Sequence, residues 1–176
     1  MIGILLAGGK STRFAKGDKA LYFDDDLQTT WTEASYKKLS AVCDQVIISA
    51  NTTNRTEIQE LLPEANLILD SSEFTDQGPL SALYAVSQSL ANDKKESYVI
   101  LAVDHPELES KTLQELIDTG SCYLNDQYTI AQINFSFSQI RDFLLSGERR
   151  FKKFLELVDA QSLEITTINI QNHNEI

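Results

Sequence analysis

The segments IGILL from position 2, QVIIS from 45, NLIL from 66 and YVILAV from 98 are short, and their apolar residues run on without alternating with polar ones. A strand with one face in water alternates; a strand covered on both faces does not. These runs therefore predict buried strands over residues 2–6, 45–49, 66–69 and 98–103. Stretches with helical spacing lie between them. Residues 30–42 place Trp31, Ala34, Leu39 and Val42 inward. Residues 56–62 end at Pro63. Residues 79–90 open with proline, whose missing N–H is harmless at the first helical position, and space Leu80, Leu83, Val86 and Leu90 along one face. Residues 110–117 follow the fourth strand. Alternating strands and helices predict an α/β fold: a Rossmann-like, open, mostly parallel sheet with helices on both faces. Past position 118 the pattern is less regular, with strands expected over 128–135 and 163–168 and helices over 138–145 and 149–158, around Gly147. There is no repeat, linker or low-complexity segment, so a single domain over residues 1–176 is expected, long enough for a full core.

Charge narrows the function. The net charge is −11, which argues against nucleic acid or an anionic membrane as partner. No apolar run approaches the ~20 residues that a membrane helix needs. No signal peptide is visible, and Cys43 and Cys122 form no metal-type pair, so a reducing, cytoplasmic setting is expected. Without a secretion signal, the sequons at Asn51 and Asn54 are chance matches.

In so acidic a chain, a local basic cluster is informative. LLAGGKSTRF at positions 5–14, continuing to Lys16 and Lys19, looks like an anion-binding loop. It is not a Walker A loop, because position 4 is Ile, and its glycines do not fall at dinucleotide spacing. Gly8 and Gly9 are expected to let the backbone approach a ligand and take positive φ, so that successive N–H groups cradle phosphate. Arg13 suits a forked phosphate contact, and Lys19 a compact positive charge. The plainer alternative is an exposed turn with solvated charges.

In open parallel sheets, ligands bind beyond the carboxyl ends of the strands. The loop, Asn51, Asp70 and Asp104 each follow one of the four apolar runs. Asp104 is placed to hold Mg²⁺, a hard cation that prefers oxygen ligands and phosphate; an Asp-x-Pro turn or a helix cap would use the same residue. Asn51 and Asp70 are equally compatible with turns. His105 has no Cys or Ser to activate and no second metal-spaced His, so it reads as a loop residue. Gly147-Glu148-Arg149-Arg150 with Lys152-Lys153 forms a second basic cluster, either a solvated helix face or a receiver of a phosphorylated substrate.

Taken together, these residues resemble the molybdenum cofactor guanylyltransferases, within the wider nucleotidyltransferase family. Leu6-Ala7-Gly8-Gly9-Lys10-Ser11-x-Arg13 with Asp18-Lys19 matches the signature loop. Ser49-Ala50-Asn51, Asp70 with Gly78-Pro79-Leu80, and Asp104-His105-Pro106 follow in the family's order. Leu145 to Arg150 and Ile168-Asn169-Ile170-Gln171-Asn172 resemble stretches typical of the molybdenum branch. The resemblance implies a nucleotide-diphospho-sugar transferase-like fold and an enzyme. It would transfer GMP from GTP to the phosphate of a molybdopterin-type cofactor, with Mg²⁺, release of pyrophosphate, and delivery proteins as partners for the fragile cofactor. Leu6, Ala7, Gly8 and Gly9 would line the nucleotide site. Lys19 would contact the phosphates, Asn51 and Asp70 would help bind the nucleotide, Asp104 would bind nucleotide and metal, and Arg13 would stabilise charge during transfer. Phe14-Ala15, Val103, Asp24-Asp25-Asp26-Leu27-Gln28 and Gln127-Tyr128-Thr129 depart from the family pattern. Transfer of another base, transfer to another phosphorylated acceptor, and a non-catalytic nucleotide-binding relative are the competing readings.

Overall fold

A computed structural model describes residues 1–9, 14–15 and 17–164. Lys10, Ser11, Arg13, Lys16, the 168–172 stretch and His173 lie outside the described residues, as does the expected strand beyond 164.

In chain order the strands are β1 (Ile2–Leu6), β2 (Phe23–Asp24), β3 (Thr29–Thr30), β4 (Gln45–Ala50), β5 (Asn66–Leu69), β6 (Glu96–Ala102), β7 (Cys122–Leu124), β8 (Gln127–Phe135) and β9 (Gln161–Leu163). The helices are α1 (Trp31–Ser40), α2 (Arg55–Leu61), α3 (Pro79–Ser89), α4 (Ser110–Thr119), α5 (Phe137–Leu145) and α6 (Phe151–Leu157), with a single 3₁₀ turn at Lys19–Leu21. Seven strands form an open sheet in the order β5-β4-β1-β6-β8-β7-β9, and β2 and β3 form a separate hairpin. β5, β4, β1 and β6 run parallel, β8 pairs antiparallel with β6 and β7, and β9 runs parallel to β7. The sheet is mostly parallel, as expected.

Unbroken apolar strands are needed because each strand feeds two cores. Leu5, Ile48, Val99 and Leu101 join one cluster, with Trp31 and Leu39 of α1, Ile58 of α2, and Leu113 and Leu116 of α4. Their sequence neighbours Ile4, Ile47, Tyr98 and Ile100 join the opposite cluster, with Leu80, Leu83 and Val86 of α3, Ile140 and Leu144 of α5, and Phe154 and Leu155 of α6. Burying one such side chain contributes about 1.5–3 kcal/mol. Two inward positions on α1 differ from expectation: Thr32 and Ser35 are buried while Ala34 is partly exposed. Thr32 can be buried because its hydroxyl donates to the Ala20 carbonyl at 2.6 Å. That bond ties α1 to the 3₁₀ turn.

The parallel strands end in register. Leu6 lies opposite Ser49 on one side and Ala102 on the other, and Ala50 lies opposite Leu69. The chain leaves β1 for β4 and β5 on one side and later reaches β6 on the other. The strand order therefore reverses beside β1, which is where open α/β sheets bind ligands.

Candidate active site

The residues after β1, β4, β5 and β6 meet at this edge. The β1 loop is held by the backbone: Ala7 N donates to Ser49 O at 2.8 Å, and Val103 N donates to Leu6 O at 3.3 Å. The expected reason for the glycine pair needs correcting, because neither Gly8 nor Gly9 takes a positive φ. Gly8 is required by close approach: an added Cβ would lie 3.3 Å from the Ala50 carbonyl carbon and 3.5 Å from Asn51 N. An added Cβ at Gly9 would meet none of the described residues within 4 Å.

Asp18 and Lys19 work through the turn that they start. Asp18 Oδ1 accepts from Ala20 N at 2.9 Å and so caps the 3₁₀ turn. Lys19 is only 9% exposed, lies over the Phe14 ring at 5.8 Å, and brings its Nζ to 3.6 Å from Asp104 Oδ2. The signature lysine and the aspartate after β6 thus face each other across the point where the strand order reverses. Arg13 lies outside the described residues.

Asp104 keeps an oxygen in reserve. Its Oδ1 is buried and accepts no hydrogen bond from the described residues, although His105 Nε2 lies 3.4 Å away. His105 itself is 2% exposed. It faces the protein interior, as a loop residue rather than a group open to substrate. The Pro106 carbonyl accepts from Lys38 Nζ of α1, and burial pushes that ammonium down to about 8 against the opposing pull of Glu107. No group of three or more His, Cys, Asp or Glu among the described residues forms a metal cage. The donor set nevertheless fits Mg²⁺, which commonly takes one or two carboxylates and fills its remaining positions with phosphate oxygen and water.

Asn51 and Asp70 reach the same edge in different ways. Asn51 Oδ1 accepts from Thr53 N at 2.8 Å and Asn54 N at 2.9 Å, while its Nδ2 donates to Gly8 O at 3.3 Å. It is a turn residue that also pins the glycine loop. Asp70 Oδ1 accepts from Ser49 Oγ at 3.1 Å. Burial holds its carboxyl above the usual range, Ser49 opposes this, and the charge of Asp76 adds to it.

Two contributors have no site role in the sequence reading. One is Asn54, fully buried, which the sequence presents only as a sequon. The other is Tyr128, read there only within a departure from the family pattern. Leu101 of β6 pairs with Ile130 of β8, so Tyr128 lies further toward the edge where Asp104 sits. Lys152 Nζ lies 5.6 Å over its ring. The rest of the second basic cluster is partly engaged: Arg150 pairs with Glu148 at 2.6 Å, Lys153 pairs with Glu156 at 2.6 Å, and Arg149 donates to Leu144 O at 2.5 Å.

Several solved structures share this fold. An Archaeoglobus fulgidus protein described as molybdopterin-guanine dinucleotide biosynthesis protein A is 18% identical, with a TM-score of 0.67 over 93% of this chain and 83% of that one. The 4-diphosphocytidyl-2C-methyl-D-erythritol synthase of Anaerococcus prevotii is 13% identical, with a TM-score of 0.66 over 93% and 86%. A Mycobacterium tuberculosis protein solved as a complex with manganese is 19% identical, with a TM-score of 0.60 over 93% and 87%. No helix among the described residues is long and apolar enough to cross a membrane. A family model described as the MobA-like NTP transferase domain matches residues 3–164, from the second residue of β1 to just past β9, and the chain therefore belongs to that family of nucleotidyltransferases.

Proposed function

We propose that the chain acts in the cytoplasm as one domain over residues 1–176, transferring GMP from GTP to the phosphate of a molybdopterin-type cofactor. The observation that carries this reading is the pairing of Lys19 with Asp104 at 3.6 Å, at the edge where the glycine loop packs on the end of β4. A cation and a carboxylate with a reserve oxygen, side by side, suit a metal-bound polyphosphate. The name of the Archaeoglobus relative, which specifies a molybdopterin-guanine dinucleotide, supports guanine and this acceptor.

In the reaction, an oxygen of the acceptor phosphate attacks the α-phosphorus of GTP. A new P–O bond forms, the bond to the β-phosphate bridging oxygen breaks, and pyrophosphate leaves with that electron pair. Both reactants are anions, so the protein's work is to position them in line and compensate charge. Leu6, Ala7, Gly8 and Gly9 line the nucleotide; Ala7 N is spent on Ser49 O, so the N–H groups toward phosphate are those of the loop after Ala7. Lys19 and Arg13 compensate the charge that develops on the phosphates. Asn51 and Asp70 hold the nucleoside side. Mg²⁺ held by Asp104 would supply further charge neutralisation on the phosphate oxygens. Lys152 and Arg149, near the start of α6, are the groups offered to the acceptor phosphate, and cofactor-delivery proteins would bring that acceptor.

The test is pyrophosphate release with molybdopterin and Mg²⁺, comparing GTP, CTP and ATP. Turnover confined to GTP is expected. Turnover confined to CTP would keep the mechanism and replace the base, the outcome suggested by the cytidyl compound named for the Anaerococcus relative. Nucleotide binding without pyrophosphate from any of the three would overturn the transfer to this acceptor.

A further inference from the structure

Asn54 starts α2, yet its side chain makes no capping hydrogen bond to that helix. Its polar atoms are spent elsewhere. Nδ2 donates to Ala7 O at 2.9 Å, in the β1 loop, and to Asp18 Oδ2 at 2.9 Å. Oδ1 accepts from Asn51 N at 3.0 Å. The residue is 0% exposed, so none of these bonds has water as a ready substitute, and losing one leaves a buried group unsatisfied. A single carboxamide thus joins the β1 loop, the residue that caps the Lys19 turn, and the end of β4. Asp18 uses one oxygen for Asn54 and the other for Ala20 N, so the position of the turn depends on both.

We infer that Asn54 is a positioning residue of the nucleotide site, whose carboxamide sets Lys19 and the β1-loop backbone against Asp104. The inference rests on the nucleotide site proposed above. The donor and acceptor pattern fixes the amide's orientation, because two acceptors face Nδ2 and one donor faces Oδ1. A carboxylate of the same shape would turn an acceptor toward two acceptors, one of them charged.

The experiment uses the full chain as wild type, Asn54→Asp, Asp18→Asn and the double variant. Affinity for Mg·GTP, Mg·CTP and Mg·ATP is read by calorimetry, and kcat/KM by pyrophosphate release. Asn54→Asp is expected to lower kcat/KM for the nucleotide roughly 10- to 100-fold, the scale of an ångström-sized misplacement of a catalytic group, without changing KM for the acceptor. The double variant restores a donor opposite an acceptor between the two positions and is expected to recover several-fold of that loss. A merely structural role predicts no such recovery. If Asn54→Asp does not fold, Asp18→Asn alone carries the test, because position 18 is partly exposed and the change is nearly isosteric; a nucleotide affinity lowered several-fold supports the inference. Wild-type nucleotide affinity and turnover in either single variant, or a double variant no better than Asn54→Asp, would overturn it. If wild type binds nucleotide but releases no pyrophosphate, the transfer reading fails, and the same calorimetric comparison still decides the role of Asn54.

Discussion

Asp70, proposed above to hold the nucleoside side, sits where a carboxylate works against stability. It is buried enough that ionisation is disfavoured, its neighbour Asp76 adds repulsion, and the single hydrogen bond from Ser49 only partly offsets both. A folded pKa above the unfolded value of 3.8 means that the folded state holds the proton more tightly. The stability linked to that proton is present below pH ~4 and is lost as pH rises through the folded value. Asp70→Asn keeps the shape and cannot ionise. It is therefore expected to raise the thermal unfolding midpoint at pH 7 above wild type, with the difference closing toward pH 3; an unchanged or lower midpoint at pH 7 would remove burial as the cause. At this scale the sequence was only partly legible. Asp104 could be picked out because it ends an apolar run, and Lys19 because it belongs to a basic cluster in an acidic chain. Asn54 could not, since a buried amide that bonds backbone and carboxylate has no local pattern and looks like any polar loop residue. Gly8 was selected for a reason that the backbone does not bear out: contact with the end of β4, not left-handed φ, demands it.

Among the elements, α3 shows how strongly a terminus can be specified. Gly78 precedes Pro79 with φ 57° and ψ −135°, a region that only glycine occupies without strain. An added Cβ there would meet none of the described residues within 4 Å, so the cost of Gly78→Ala is conformational and not crowding by those neighbours. Destabilisation by about 1–3 kcal/mol is expected, measured by urea unfolding with an unchanged m-value. A loss near zero would mean that the 70–78 loop relaxes around the substitution. α3 and the parallel strands were readable because each satisfies its own period: β1 and β5 begin and end where the apolar runs do. β7 was not readable. Its three residues, Cys122–Leu124, are too few for any period, and their strand geometry comes from pairing with β8 on one side and β9 on the other. The two-residue strands β2 and β3 likewise owe their form to each other.

At the scale of the whole molecule, the net charge sets which anions can approach, while a buried cation–carboxylate pair marks the site. The chain carries −11 overall, which repels polyanions from most of its surface, while the edge at β1 and β6 holds Lys19 beside Asp104, the carboxylate proposed above for the metal. This arrangement favours a compact anion that arrives with its own divalent metal over an extended one that must lie along the surface. It also makes binding a test of the whole fold, because the site exists only when β1, β4, β5 and β6 are in register. A ligand that binds only the folded state stabilises it by about 2.7 kcal/mol at a hundredfold excess over Kd. Saturating GTP with Mg²⁺ is therefore expected to raise the unfolding midpoint by several degrees, consistent with the ≈ 2–4 °C per kcal/mol typical of domains near this length. Chelating the metal with EDTA should remove most of that rise. In Asp104→Ala the rise should be small with or without metal, measured from that variant's own ligand-free midpoint, because losing the carboxylate also takes the counter-charge from buried Lys19. Duplex DNA at physiological salt should leave the midpoint unchanged. A metal-dependent rise that survives in Asp104→Ala would move the metal to other oxygens, whereas a rise that is insensitive to EDTA would mean that Lys19 and the loop bind phosphate without it.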